Sequence, residues 1–265
     1  MEASLRDLLR FSEYYSRFRY PEQEPEPNLR DWFNRFKRLD FTTSYPLLLN
    51  LYDNYVQERI SAEEFERTMG VVESYFVRRL FVGRPTNVLN KLFNSIYNQI
   101  GAEAFCEKSL TETLRSYSGN RTWPGDEDFR EGIIKMPVYY PTRSDRVKLI
   151  LERLEANLTK ERVDPKNLTI EHIMPRTLTN DWRDVLGPDA EEQHSIWCDV
   201  LGNLTLTAYN SELSNKSFIE KKHKLLEVSS LRLNKYFQEI DVWDIDAIKQ
   251  RGNLLANSAI NIWPR

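Results

Sequence analysis

Two short stretches of strand-like sequence stand alone in a chain whose other patterns are helical. The first is Asn167-Leu-Thr-Ile-Glu-His172, and the second is Gly202-Asn-Leu-Thr-Leu206. Their β-branched and apolar residues are typical of short strands, and no strand pattern occurs before about Asn167. These features favour a mainly α fold in which the two short strands pair with each other in an antiparallel arrangement.

Apolar residues at helical spacing predict helices along most of the remaining chain. Ser61-Ala-Glu-Glu64, for example, is typical of a capping box at a helix start. The predicted helices cover residues 4–20, 29–39, 46–60, 61–81, 102–114, 126–134 and 143–158, with another starting near residue 85, and then 181–186, 189–200, 214–228, 231–240 and 243–262. We therefore expect an N-terminal helical bundle in residues 1–160, followed by a domain in residues 161–265 in which the two strands are embedded among helices.

Composition argues against several classes of protein. The longest apolar runs are too short to cross a membrane, and the N-terminus has no apolar signal-peptide core. Two cysteines, Cys106 and Cys198, are too few for a disulfide framework or a cysteine-based zinc site. We expect a cytoplasmic protein without a membrane partner, in which oxygen and nitrogen ligands hold any metal ion. The net charge of −3 weakly disfavours nucleic-acid binding. A local cluster of basic residues can nevertheless attract phosphates in a protein whose net charge is not positive.

The region from Asn167 to Lys222 supplies the residue types that phosphodiester cleavage needs. Hydrolysis of a nucleic-acid backbone requires a base for the attacking water and a cation that neutralises the phosphoryl oxygens and the leaving oxygen. His172 is the candidate general base, because the pKa of an imidazole lies close to working pH. Glu171 is the candidate metal ligand, since adjacent residues of a strand face opposite sides. Two strands, a helix, one acid, one His and several Asn are the components of a ββα-metal nuclease unit.

Asparagines and basic residues complete the predicted site. Antiparallel pairing of the strands would bring Asn203 near His172, where its amide would orient the imidazole. Asn210 is the preferred second metal ligand, and Asn215 is its rival for that role. Mg²⁺ or Mn²⁺ suits such a set, because these hard cations prefer oxygen ligands. Four basic residues are candidates for phosphate contacts, namely Arg176, Lys216, Lys221 and Lys222.

Each of these residues also has an ordinary structural interpretation. A histidine before Ile-x-Pro occurs often by chance, an asparagine at a helix start is usually a cap, and a lysine run is usually a solvated helix face. We interpret His194 as structural and His223 as a surface residue. The order of the motifs, from Glu-His at a strand end through Gly-Asn and Asn210 to the lysines, favours the nuclease interpretation.

The chain resembles a known family over nearly its whole length. The most specific similarity lies in Thr169-Ile-Glu-His-Ile-Met-Pro175, Leu201-Gly-Asn-Leu-Thr-Leu206 and Asn210-Ser-Glu-Leu-Ser-Asn-Lys-Ser-Phe218, which look like the C-terminal HNH nuclease domain of GmrSD-type proteins. Those proteins are modification-dependent restriction enzymes of bacteria and archaea that act against phage DNA. Residues 75–79 and 83–93 resemble the helical segment that precedes their nuclease domain.

The resemblance implies a metal-dependent, HNH-type DNA endonuclease of an anti-phage defence system. It implies His172 as general base with Asn203 as its supporting residue, and Glu171 with Asn210 as metal ligands. Three departures stand out. The acid is Glu171 where many HNH enzymes have Asp, the last HNH position is Asn instead of His, and the Asp-Gly-Gln-Gln-Arg type motif of the family's ParB-like N-terminal domain does not occur in this sequence. We therefore expect the chain to be a C-terminal fragment, a truncated gene product or a partner subunit. Its expected partner is a ParB-like, nucleotide-using domain or subunit absent from this sequence.

Two other functions stay open on the sequence alone. The helical N-terminal half and the acidic balance also suit a non-catalytic interaction or scaffold module. Because HNH chemistry does not itself select the sugar, an RNA-directed nuclease is the second alternative.

Overall fold

A computed structural model describes residues 2–159 and 164–265. The chain divides into two compact units, of which the first is Met1–Gly125 with Trp263–Arg265 and the second is Asp126–Ile262. The expected mainly α fold is confirmed, because helices predominate and the described residues contain one two-stranded sheet. Among these residues, no helix combines the length and the apolar character needed to span a membrane.

The first unit arranges its helices around an aromatic core. They are α1 (Glu2–Arg19), α2 (Pro27–Arg38), α3 (Tyr45–Val56), α4 (Ala62–Phe81), α5 (Asn87–Ile100) and α6 (Glu107–Ser116). Phe18 and Phe33 stack with their ring centroids 4.0 Å apart, and Tyr52 packs edge-on against both rings. α4 begins where the Ser61 side chain accepts a hydrogen bond from the Glu64 N–H, as expected for an N-cap.

The second unit places a short hairpin among helices and contains all residues of the predicted site. Its helices are α7 (Asp126–Lys135), α8 (Ser144–Leu158), α9 (Asn180–Leu186), α10 (Ala190–Trp197), α11 (Asn210–Leu213), α12 (Phe218–Val228), α13 (Arg232–Lys235) and α14 (Ile245–Ile262), and its strands are β1 (Thr169–His172) and β2 (Leu204–Thr207). α7 and α8 pack against α14, which is why this unit begins at Asp126. The boundary expected from the sequence falls at residues 160 and 161, which lie outside the described residues.

The antiparallel register of β1 and β2 determines where the two central site residues point. Glu171 lies opposite Thr205, and His172 lies opposite Leu204. Because successive side chains of a strand alternate between its faces, Glu171 and His172 face opposite sides of the hairpin. Both side chains are buried.

Two predicted boundaries next to the hairpin shift in the structure. Asn203, expected to start the second strand, lies instead in the 3₁₀ turn that precedes β2. The helix expected over residues 214–228 begins later, because Ser214 has a φ of +42° and ends the separate helix α11. α12 then starts after a capping box at Ser217, whose side chain satisfies a backbone N–H of the first turn.

Candidate active site

His172 lies at the end of β1 and is paired with a carboxylate. Its Nε2 is 2.9 Å from Oδ1 of Asp199. The His172 side chain is 9% exposed, whereas that of Asp199 is 38% exposed. The carboxylate thus connects a buried ring to the surface and orients that ring through one of its two nitrogens.

The segment after α7 holds both Asp199 and the imidazole in place. The Val138 and Tyr139 N–H groups donate to the Asp199 carbonyl at 2.9 and 3.3 Å. The Tyr139 ring packs edge-on against the imidazole of His172, with the ring centroids 4.6 Å apart and an interplanar angle of 87°. The rotamer of His172 is therefore restricted by a hydrogen bond on one edge and by an aromatic ring.

Burial is the largest influence on the pKa of His172, which it lowers below its usual value. Asp199 raises the pKa of the ring, while the positive charges of Arg176 and Lys221 lower it. The net direction is downward, so the imidazole is neutral at neutral pH. A neutral imidazole keeps a lone pair that can accept a proton.

Glu171 lies on the other face of β1 in a buried ion pair with Lys221. The Lys221 Nζ is 2.5 Å from Oε1 of Glu171, and it also donates to the His172 carbonyl at 2.6 Å. Burial raises the pKa of Glu171 and lowers the pKa of Lys221, and the attraction between the two groups opposes both shifts. The pair ties α12 to the end of β1.

This ion pair does not fit the expected role of Glu171 as a ligand of Mg²⁺ or Mn²⁺. A hard, hydrated metal ion needs a free carboxylate oxygen and room for its retained waters. The Glu171 side chain is only 4% exposed, and its carboxylate is already paired with the Lys221 ammonium group. The buried position of Lys221 does not fit its expected phosphate contact either. Lys221 shares the inward face of α12 with Phe218 and Leu225, and its side chain is 0% exposed.

Asn203 holds the turn after β1 instead of the imidazole. Its Oδ1 accepts hydrogen bonds from the Met174 N–H at 2.8 Å and from the Trp243 Nε1–H at 3.0 Å. Its Nδ2 donates to the carbonyls of Met174 and Cys198 at 2.9 and 2.8 Å. These four bonds use the whole hydrogen-bonding capacity of the amide. The expected contact with His172 is therefore replaced by an indirect one, through the backbone that follows β1.

Gly202 precedes Asn203 because α14 passes directly over this turn. A Cβ at Gly202 would overlap the carbonyl oxygen of Ile248. The buried guanidinium of Arg251, also on α14, donates to the carbonyls of Gly202 and Leu204 at 2.8 and 2.6 Å. The Gly-Asn motif thus has a packing function at its first residue and a hydrogen-bonding function at its second.

Asn210 contacts β1, whereas its rival Asn215 is exposed in the loop between α11 and α12. The Asn210 Nδ2 donates to the Ile170 carbonyl at 2.6 Å. Alternate carbonyls of an antiparallel strand point to the same edge, so Ile170 and His172 present theirs on the edge away from β2. Asn210 and Lys221 together cover this edge, which would otherwise leave unpaired polar groups.

The predicted phosphate-binding residues differ in their availability. Arg176 is exposed, and its guanidinium carbon lies 5.6 Å from the centroid of the Tyr139 ring that packs on His172. Lys216 is also exposed. Lys222 is half-buried and donates to the Ile240 carbonyl at 2.7 Å. Arg176 is therefore the predicted basic residue that the structure places beside the imidazole.

Cys198 completes a cluster with His172 and Asp199. One potential ligand atom from each of the three side chains lies within 4.8 Å of the other two. Burial raises the pKa of the Cys198 thiol to about 12, so the thiol is protonated when no metal is bound. From the sequence we expect only oxygen and nitrogen ligands to hold a metal ion. This cluster adds the sulfur of Cys198 as a potential ligand.

The site predicted from the sequence includes neither Asp199 nor Tyr139. The position of Asp199 shortly before the second strand would have allowed its prediction. In an antiparallel hairpin, residues shortly before the second strand lie near the end of the first, which would have indicated Asp199. Tyr139 follows α7 and carries no comparable signal. The remaining histidines agree with their interpretation, because the His194 Nε2 lies 2.8 Å from the Pro175 carbonyl and His223 is exposed.

Comparison with known proteins assigns the family. The family profile described as GmrSD restriction endonucleases, C-terminal domain, matches residues 123–258. This span is more than half of the 265-residue chain. No curated protein matches the chain. With the hairpin, His172 and Asp199 all inside the matched residues, the chain belongs to the family of GmrSD restriction endonuclease C-terminal domains.

Proposed function

We propose that the second unit is the catalytic domain of an HNH-type DNA endonuclease and that β1, β2 and the following helices form its ββα-metal unit. The observation that carries this proposal is the buried His172 held by Asp199 at 2.9 Å. The family description as restriction endonucleases supports hydrolysis of phosphodiester bonds in DNA. A cytoplasmic role in defence against phage, acting on modified DNA, is part of the same proposal.

In this mechanism His172 removes a proton from the attacking water. With its Nε2–H donating to Asp199, the imidazole keeps its lone pair on Nδ1, which is then the basic nitrogen. Asp199 holds that tautomer and stabilises the imidazolium that forms, as a carboxylate does beside other catalytic histidines. The exposed Arg176 is available for a charge-assisted hydrogen bond to a phosphate oxygen near the ring, and Lys216 is available for a contact further along the backbone.

A divalent cation, Mg²⁺ or Mn²⁺, belongs to the proposal because such an ion supplies charge neutralisation at the phosphoryl group. The Glu171–Lys221 pair does not support the ligand set expected from the sequence, so we assign no catalytic step to the ion. Asn210, which contacts β1, and the exposed Asn215 stay candidate ligands. A ParB-like, nucleotide-using domain or subunit stays a predicted partner.

Nicking of supercoiled plasmid tests the function directly. The full chain is incubated with plasmid and Mg²⁺ or Mn²⁺, with EDTA as the control, and labelled RNA is run in parallel. Metal-dependent conversion of plasmid to the nicked form, with RNA intact, is the expected result. Cleavage of RNA alone would support the RNA-directed alternative. Intact plasmid and RNA under all conditions, from a protein shown to be folded, would support the scaffold alternative.

A further inference from the structure

We infer that His172, Cys198 and Asp199 form a binding site for a thiophilic transition-metal ion such as Zn²⁺, and that an ion bound there inactivates the base. The binding site follows from the arrangement of three side chains in the second unit. The inactivation also rests on the proposed function of His172. The two parts are therefore tested by separate measurements.

Three different ligand types converge at this cluster. Their nitrogen, sulfur and oxygen atoms lie within 4.8 Å of one another, and the ligands of a tetrahedral zinc ion lie about 3–4 Å apart. Side-chain shifts of about 1 Å therefore suffice to form three metal–ligand bonds. His172 and Cys198 are buried while Asp199 is partly exposed, so an ion reaches the cluster past the carboxylate.

The protein orders this cluster before any ion arrives. The Val138 and Tyr139 N–H groups fix the backbone at Asp199, and Tyr139 packs on the ring of His172. The Cys198 Sγ lies 3.9 and 3.8 Å from the Met174 and Pro175 carbonyl oxygens. A thiol is a weak donor, so few interactions are lost when this sulfur turns toward a metal.

Charge and ligand chemistry select the class of ion. A thiolate and a carboxylate together carry two negative charges, and the imidazole is neutral, so the site balances a divalent cation. This balance matters because an uncompensated charge in a largely buried site is costly. Thiolate and imidazole ligands favour Zn²⁺ or Co²⁺ over Mg²⁺. Binding releases the thiol proton to solvent, as is general for cysteine ligands.

An ion at this cluster would occupy the nitrogen that faces Asp199. Coordination of Nε2 places the ring proton of His172 on Nδ1, because a neutral imidazole carries one N–H. The nitrogen that serves as the base in the proposed mechanism then has no lone pair. Zn²⁺ would therefore inhibit nicking that Mg²⁺ or Mn²⁺ supports, without unfolding the hairpin.

Cobalt and zinc binding to the full chain tests the site independently of activity. Cobalt(II) is titrated into the wild type, Cys198→Ser, Asp199→Asn and Cys106→Ser, the last being a matched control because Cys106 is the second cysteine and lies in the first unit. We expect a thiolate-to-cobalt charge-transfer band in the wild type and Cys106→Ser, its loss in Cys198→Ser, and Zn²⁺ affinity at least about tenfold weaker in Asp199→Asn. No band in the folded wild type, or an unchanged band in Cys198→Ser, would overturn the site.

Inhibition by Zn²⁺ tests the second part. Nicking at a fixed Mg²⁺ concentration is measured with and without Zn²⁺, and each variant is compared with its own uninhibited rate. We expect Cys198→Ser to need at least about tenfold more Zn²⁺ than the wild type and Cys106→Ser for the same fractional inhibition. Binding at the cluster without inhibition would overturn the inactivation and weigh against His172 as the base, while leaving the site in place. If no form of the protein nicks DNA, the proposed function fails and the cobalt spectrum still decides the site.

Discussion

The Asp199 carboxylate and the His172 imidazole form a hydrogen bond of 2.9 Å although 27 positions separate them in the chain. The hairpin creates this proximity, because β2 runs antiparallel to β1 and returns the segment before it to the end of β1. Asn203 then ties that segment to the backbone after His172 through its bonds to Met174 and Cys198. The hairpin and the hydrogen bonds of Asn203 thus hold the His172 imidazole and the Asp199 carboxylate beside each other.

Replacement of Asp199 by Asn should reduce nicking without abolishing it. The amide has the size of the carboxylate, but it does not stabilise an imidazolium and can present a donor that favours the wrong ring tautomer. We expect a loss of about 10²- to 10⁴-fold, measured as the initial rate of plasmid nicking. Asp184→Asn, on the exposed side of α9, is the matched control and should retain the wild-type rate. An Asp199→Asn protein as active as this control would show that the carboxylate does not support the base.

Replacement of Lys221 by Met should strongly destabilise the second unit. The substitution leaves the Glu171 carboxylate buried without its partner, and breaking a buried ion pair in this way costs about 3–5 kcal/mol. The adjacent Lys222→Met is the control, because Lys222 is half-buried and its bond to the Ile240 carbonyl contributes only about 1 kcal/mol. Urea denaturation of both variants measures the two free energies. Equal stability losses would argue that the Glu171–Lys221 pair is not formed in solution.

Replacement of Asn203 by Ala should impair both stability and activity. It removes the acceptor of the Met174 N–H and the Trp243 Nε1–H, and the donors to the Met174 and Cys198 carbonyls. Buried polar groups left unpaired cost about 1–3 kcal/mol each, so we expect a loss of at least about 2 kcal/mol. Asn203→Asp keeps the acceptor but turns a carboxylate oxygen toward the Met174 and Cys198 carbonyls, so it should also be destabilised. Thermal unfolding followed by tryptophan fluorescence measures both losses, and wild-type stability of Asn203→Ala would refute the role of the amide in the turn.

Local patterns in the sequence predict much of this fold. The helices follow from apolar periodicity, and the pairing of β1 with β2 follows from the isolation of two strand-like stretches. The family expected from the motifs around His172 and Gly202 is confirmed. Helix boundaries at Ser214 and Ser217 were harder to predict, because they depend on one residue with positive φ and on a cap.

The hydrogen-bond and ion-pair partners of the site residues are harder to predict from the sequence. Lys221 looks like part of a solvated basic run, although its spacing from Phe218 and Leu225 places it on the apolar face of α12. Its pairing with Glu171 follows only from the packing of α12 against β1. Glu171 looks like a free carboxylate for the same reason. Asn203 has the amide that a catalytic role needs, but its side-chain oxygen accepts a hydrogen bond from Trp243, 40 positions away in the chain. Tertiary contacts of this kind decide between a ligand and a structural residue, and a linear motif does not contain them.

The two cysteines should differ widely in reactivity toward an alkylating reagent. Hydrogen bonds from Ser109 lower the pKa of the Cys106 thiol at the start of α6, whereas burial raises the pKa of the Cys198 thiol to about 12. Since the thiolate is the reactive form, iodoacetamide at slightly alkaline pH should modify Cys106 first. Peptide mass spectrometry over time measures both rates. Faster modification of Cys198 in the folded protein would contradict its enclosure beside Met174 and Pro175.

The most direct test of the account is plasmid nicking by His172→Ala. General-base catalysis contributes about 10²- to 10⁴-fold to a rate, so the variant should lose activity by that amount while keeping the circular dichroism and unfolding transition of the wild type. His223→Ala, which removes an exposed histidine of α12, is the matched control and should nick at the wild-type rate. A folded His172→Ala protein that nicks DNA as fast as the wild type would contradict the assignment of His172 as the base.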